Sequence, residues 1–361
     1  MKVAFAGEAD SPAVSALAGA LDGLLRGDGH EVSDPDAATE LVFNLSSVDA
    51  PQSHWRRHST EQFGVTLLAV PDGSLPGHSE TTAVLQQTYP ALLKTMSNAL
   101  VAVDDRQLTL VTPEMGVRPL DSHTADEAAA SVAAAVLPLA GARFALQDGV
   151  RDDLDEALMA SPRIDELKHA GRQLAALGLL PSPVALDEFL SAEDRHLLKA
   201  IFGVQQLSYG NLSVREPGSG FWMSGRGVDK ARLETLGRDI FLVSDHDVDA
   251  GTLEVRVPPG VLGGKVSVDA LEHALLYERF DEVGAILHVH AWLPGVDATS
   301  QSWPCGTVEL ASDVCELVAR QADPGQAEVG LRNHGLTLTG PDLPSLFARI
   351  EGRLVKEIPP R

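Results

Sequence analysis

Two histidines one residue apart occupy Gly284-Ala285-Ile286-Leu287-His288-Val289-His290-Ala291. The run Ala285–Val289 is apolar enough for a buried strand. Residues two apart on a strand share a face, so the imidazoles of His288 and His290 project together. Each can approach one cation at about 2.0–2.1 Å. A third histidine, His334, lies in Leu331-Arg332-Asn333-His334-Gly335-Leu336, after the strand-like run Glu328–Leu331. The glycine beside it suggests a tight turn at a strand end. Three neutral histidines with an open fourth position form the usual set of a catalytic zinc centre. Taken alone, the pattern also fits three structural histidines, and both readings stay open.

Two further stretches carry glycine turns followed by small hydrogen-bonding side chains. They are Leu207-Ser208-Tyr209-Gly210-Asn211-Leu212-Ser213-Val214-Arg215 and Phe221-Trp222-Met223-Ser224-Gly225-Arg226-Gly227-Val228-Asp229. Such loops can aim backbone N–H groups and hydroxyls at one anion, and Arg226 can add a charge-assisted bond. Ordinary β-turns account for either loop equally well. Upstream of the histidine pair, Lys265-Val266-Ser267-Val268-Asp269-Ala270-Leu271-Glu272-His273 leads into a helix expected over His273–Arg279, with Ser267 as its N-cap. Asp269 in the first turn would be favoured as a carboxylate by the helix dipole. It reads either as an acid–base group near the cation or as a plain helix-start carboxylate.

These residues need elements to hold them, and 361 residues favour two domains. The N-terminal part alternates strands with helices. Lys2–Ala6, Leu41–Leu45, Val65–Val70, Ala99–Val103 and Leu108–Val111 are short apolar runs, while Ala13–Leu25 and Ala125–Leu139 have helical spacing. The alternation predicts a Rossmann-like, doubly wound α/β domain over residues 1–146. It has no GxGxxG and no GxxxxGK[ST]. The acidic turn Gly7-Glu8-Ala9-Asp10-Ser11-Pro12 is a poor pyrophosphate cradle, so a structural or oligomerising role is expected here before a ligand site. His54, Arg56, Arg57 and His58 read as a solvated basic loop. Residues 147–160 read as a linker or interdomain helix. The second domain then spans 161–361. It opens with an amphipathic helix, Pro162–Leu177, and a second one, Ala192–Phe202, capped by Ser191 with Asp194 three residues on.

The net charge of −23 is spread along the chain. It excludes nucleic acid as a natural partner, because phosphate backbones require basic stripes, and it disfavours anionic membranes. A few local donors could still hold a single phosphate. No run is apolar enough to span a bilayer. Met1-Lys2-Val3-Ala4-Phe5-Ala6-Gly7 reads as a first strand, not a signal peptide, so a cytoplasmic location is expected. Cys305 and Cys315 suit neither a CxxC metal site nor a disulfide framework.

The motifs, in their order, resemble the class II aldolase/adducin family, the fold of fuculose-phosphate aldolase and ribulose-phosphate 4-epimerase. The stretches that carry the resemblance are Glu166-Leu167, Ala170-Gly171-Arg172 and Leu177-Gly178-Leu179, then Gly210 to Arg215, Ser224-Gly225 and Val228-Asp229. His288-Val289-His290-Ala291, Gly306-Thr307-Val308-Glu309-Leu310 and Asn333-His334-Gly335-Leu336 complete the set, over about 200 residues. The resemblance implies a three-layer α/β/α domain, usually in a tetramer. It implies a divalent ion on His288, His290 and His334, zinc first, with Mn2+, Co2+ or Mg2+ as alternatives. It implies phosphate contacts from Asn211, Ser224, Gly225 and Ser267, and Asp269 as the acid–base carboxylate.

Three departures mark a divergent branch. Ser267-Val268-Asp269 stands where the family's aldolases have Ser-Ser-Glu. The stretch from His290 to Pro304 is short and holds no tyrosine. An insertion separates the first helix from Gly210, over about residues 181–205. The expected activity is that of a carbon–carbon lyase acting on a small, sugar-like hydroxy-carbonyl substrate, with or without a phosphate, through an enediolate. Epimerisation or dehydration would use the same intermediate, and a non-catalytic, adducin-like assembly role is the alternative of a different kind.

Overall fold

The computed structural model describes every residue except 9, 10, 60, 78, 183, 203–207 and 361, with the backbone alone at 202. Ala9 and Asp10 of the acidic turn, Leu207, and parts of the expected insertion lie outside the described residues. The chain divides into two compact units. One comprises Met1–Gly141 with Val184–Ile201 and Pro359–Arg361, the other Ala142–Pro183 and Phe202–Ile358.

The first unit runs β1 (Lys2–Ala6), α1 (Pro12–Gly27), β2 (Glu31–Val32), β3 (Leu41–Ser47), β4 (Phe63–Ala69), α2 (Thr81–Thr95), β5 (Ala99–Val103), β6 (Leu108–Val111), β7 (Val117–Leu120) and α3 (Ala125–Ala140). Its sheet has the order β2-β1-β3-β4-β5-β6-β7. The first five strands are parallel and the last two turn back antiparallel. An order in which β1 lies between β2 and β3 is a doubly wound α/β arrangement. β5 is buried at every residue and β3 at all but its last, as a parallel sheet covered on both faces requires. Helix α2 carries Pro90 in its interior, and that residue disguised it in the sequence, where no helix was expected. Burial of Tyr89, whose hydroxyl donates to Pro113 O at 2.6 Å, holds the helix against the missing N–H.

The second unit begins earlier than expected. Residues 147–160 are no linker. They lie within the second unit, where β8 (Leu146–Arg151) pairs in parallel with a strand of the second sheet and is followed by α4 (Glu156–Met159). Then come α5 (Pro162–Ala176), α6 (Ala192–Phe202), β9 (Asn211–Glu216), β10 (Gly220–Ser224), β11 (Ile240–Asp247), β12 (Thr252–Arg256), α7 (Ala270–Arg279), β13 (Ala285–Val289), α8 (Val308–Ala319), β14 (Glu328–Leu331), β15 (Gly335–Gly340) and α9 (Leu343–Ile350). Most of α6 groups with the first unit. Its cap is reciprocal, as read from the sequence: Asp194 N donates to Ser191 Oγ at 3.0 Å and Ser191 Oγ donates to Asp194 Oδ2 at 2.7 Å.

The eight strands are ordered β14-β15-β13-β9-β10-β11-β12-β8. Alternation along them feeds two cores. Phe221, Met223, Phe241 and Ile286 join Leu271, Leu276, Val314 and Val318 of α7 and α8 on one face. Leu212, Val214, Trp222 and Leu287 join Leu167, Leu174, Leu346 and Phe347 of α5 and α9 on the other. A sheet with a helical layer on each face is the three-layer α/β/α domain that the resemblance implied. Leu177, expected on the buried face of α5, is 40% exposed, because the helix stops at Ala176.

Candidate metal centre

Strand β13 lies between β9 and β15, and all five of its residues are buried. His288 sits opposite Asn211 of β9 and Thr337 of β15. His290 follows one residue past the strand end. His334 arrives from the turn of the β14–β15 hairpin, where Asn333 takes a left-handed conformation at φ 60°. Asparagine tolerates that region better than most side chains, and Asn333 Oδ1 is pinned by the Ser302 hydroxyl at 3.0 Å. Two glycines permit the close packing. A side-chain carbon at Gly210 would lie 2.5 Å from His288 O, and one at Gly335 would lie 2.3 Å from Val289 O. Both backbones therefore press on the ligand strand.

The three imidazoles converge. Ring centroids are 5.0 Å apart for His288–His290, 4.8 Å for His288–His334 and 4.6 Å for His290–His334. One ring nitrogen from each lies within 4.8 Å of the others, and the Nε2 atoms of His290 and His334 are 3.0 Å apart. His288 Nδ1 lies 3.0 Å from Leu336 O. A carbonyl only accepts, so Nδ1 carries the proton and Nε2 keeps its lone pair. That Nε2 is buried with no hydrogen-bond partner, and so is His290 Nδ1. Burial holds all three imidazoles below the usual histidine range, reinforced at His290 and His334 by neighbouring histidines. Neutral, convergent nitrogens with an orphaned buried lone pair are a donor set that fits a divalent cation.

The acid side comes from the start of α7. The helix begins at Ala270, not at His273, and Asp269 rather than Ser267 stands at its N-cap. Its carboxylate caps nothing: Oδ2 accepts from Asn211 Nδ2 at 2.7 Å, and Oδ1 is buried without a partner. A turn further, Glu272 Oε1 accepts from Thr337 Oγ1 at 2.6 Å while Oε2 has no partner. Burial, with the Asp269 charge beside it, pushes Glu272 up to about 8.

This raised value has a consequence for stability. In metal-free protein the folded state binds a proton at Glu272 that the unfolded state releases above about pH 4.5. Its stabilising contribution is complete below that pH and is lost as pH rises through about 8. Glu272→Gln removes this dependence. The variant is expected to melt close to the parent at pH 5 and above it at pH 8.5, by on the order of a few kcal/mol of stability. Thermal melts in EDTA check it. A gap that does not widen with pH would mean that the folded carboxyl ionises normally.

The phosphate candidates Asn211, Ser224, Gly225 and Ser267 gather beside Asp269, but not as an open cradle. Ser224 is fully buried, its hydroxyl accepting from Leu212 N at 3.4 Å and its carbonyl from Ser267 N at 3.2 Å. Gly225 N donates to Asp239 O at 2.7 Å, which engages the donor expected to meet a phosphate. Three neighbours were not picked out from the sequence as site residues. Lys230 is 3% exposed, and its Nζ donates to Ser208 O at 2.5 Å. Burial lowers it to about 8, against the pull of Asp269 and Asp229. Cys305 Sγ lies 3.5 Å from His334 Nε2. The Tyr209 ring packs on His290 at 5.0 Å between centroids. The one available signal was position: Cys305 directly precedes the Gly306-Thr307 motif, and Tyr209 the Gly210-Asn211 motif.

Residues 196–293, which include His288 and His290, match the family model described as the class II aldolase and adducin N-terminal domain. Among curated proteins it is similar to methylthioribulose-1-phosphate dehydratase of Klebsiella pneumoniae, 27% identical over 172 residues, covering 40% of this chain and 79% of that one. The enzyme of the same name from Leptospira interrogans is 40% identical over 104 residues, covering 28% of this chain and 40% of that one. Among solved structures, L-fuculose-1-phosphate aldolase from Thermus thermophilus is 20% identical with a TM-score of 0.32, covering 50% of this chain and 81% of that one. No described helix is long and apolar enough to cross a membrane.

Proposed function

We propose that this chain is a divalent-metal-dependent lyase that removes water from a small hydroxy-carbonyl substrate of the sugar-phosphate type. The observation that carries the reading is the pairing of three convergent neutral imidazoles with a buried carboxylate whose Oδ1 has no partner. His288, His290 and His334 would hold a divalent ion, which when bound would supply Lewis-acid polarisation of a substrate carbonyl and so acidify the adjacent C–H. Asp269 removes that proton at Oδ1, with Asn211 fixing the carboxylate through Oδ2. Glu272, held protonated by burial, keeps the pair at one negative charge. Departure of the β-hydroxyl from the resulting enediolate, with return of the proton held on Asp269, releases water and is dehydration; aldol cleavage instead deprotonates the β-hydroxyl, and scission of the carbon–carbon bond then generates the enediolate. The relatives named for dehydration favour loss of water over the carbon–carbon cleavage expected first from the sequence.

The test is an assay of purified, zinc-loaded protein on methylthioribulose-1-phosphate, with product mass as readout. Loss of one water, abolished by EDTA and restored by zinc or manganese, is expected. Metal-loaded protein that leaves this compound unchanged, or splits its carbon chain, would sink the dehydratase reading.

A further inference from the structure

A ligating imidazole must be held in one orientation, usually by a hydrogen bond to its second ring nitrogen. His288 has that bond, to Leu336 O at 3.0 Å. His334 is set by its turn, where its N–H donates to Leu331 O at 3.0 Å and Asn333 is locked beside it. His290 has neither. It lies past the last paired residue of β13, and its Nδ1 is buried with no partner. What it does have is an aromatic wall: the Tyr209 ring stands 5.0 Å away, tilted by 54°.

That wall is itself fixed. Tyr209 N donates to Leu180 O at 2.8 Å, and the phenol is hydrogen-bonded to the Ser182 side chain. Lys230 Nζ grips the carbonyl one residue before it, and Asn211, two residues after it, holds Asp269. The chain has three tyrosines. Tyr89 bonds Pro113 and Tyr277 bonds Ser213, while Tyr209 packs on His290. We propose that Tyr209 is the positioning residue of His290: its ring, by packing against the imidazole, replaces the missing hydrogen bond and sets the affinity of the centre for its cation. This rests on the metal reading above.

The experiment measures zinc affinity by competition with a chromophoric chelator, and the visible spectrum after cobalt loading, for the full-length parent, Tyr209→Phe and Tyr209→Ala. Loss of an outer support typically weakens a site about 10–100-fold. Tyr209→Ala is expected to fall in that range and to change its cobalt spectrum, with the metal-free melting temperature close to the parent's. Tyr209→Phe keeps the ring and is expected to stay within about threefold of the parent. A Tyr209→Ala protein that binds zinc like the parent overturns the proposal. So does a Tyr209→Phe protein weakened about tenfold or more relative to the parent, since the hydroxyl tether would then be what matters. That arm holds even if the alanine variant does not fold. A parent that binds no zinc removes the metal reading itself, an outcome distinct from either.

Discussion

His288→Ala is expected to strip the protein of its cation: zinc content falls from near one ion per chain to below about 0.1 after dialysis, by metal analysis. Removing His288 leaves two imidazoles, too few for the three-ligand set of a catalytic zinc site. The loss should also appear in heat stability. A cation that binds only the folded state at a thousandfold excess over its dissociation constant stabilises by about 4 kcal/mol, so the parent melts several degrees higher with zinc and the variant does not. His246→Ala is the control. His246 pairs with Glu278 at 3.0 Å on β11, apart from the three ligands, and its loss should leave zinc content unchanged. Equal zinc in His288→Ala and the parent would end the case for this centre.

Asp269→Asn should separate chemistry from metal binding. The amide keeps the shape of the side chain and its contact with Asn211 but cannot take a proton. Turnover of methylthioribulose-1-phosphate is expected to drop by about 10²–10⁴-fold, the usual worth of a positioned acid–base group, while zinc content stays at the parent level. A variant that retains more than about a tenth of the activity would move the proton transfer elsewhere, with Glu272 next in line. The two predictions have opposite signatures, metal lost in one and kept in the other, so a merely misfolded variant cannot imitate both.

The paired candidate ligands His288 and His290 were the most legible part of the sequence, because an alternating pair on an apolar strand has a fixed geometric meaning. The distant His334 is offered as the third member by the glycine turn beside it and strengthened by the resemblance, since hairpin docking is a tertiary event that periodicity does not encode. The same limit explains the errors. Ser267 has the chemistry of a cap, but its N–H meets Ser224 O and the helix starts after Asp269. Gly225 looked like an anion donor, yet its N–H closes a backbone contact with Asp239. Residues 147–160 look charged and irregular because β8 is an edge strand, mostly exposed, paired on one side only. Tyr209 and Lys230 carry no local signature beyond their place beside a motif. Each matters through a neighbour far away in sequence, His290 in one case and Ser208 with Asp269 in the other.

The 43 residues that lie between His290 and His334 bear on how the protein matures. During synthesis the emerging chain shows two imidazoles long before the third exists, and the third reaches them only when the final hairpin has docked beside β13. On the metal reading, tight capture of a cation would therefore await the docking of that hairpin. A cation bound there would act as a latch on the docked hairpin, and chains still lacking that hairpin could not hoard it.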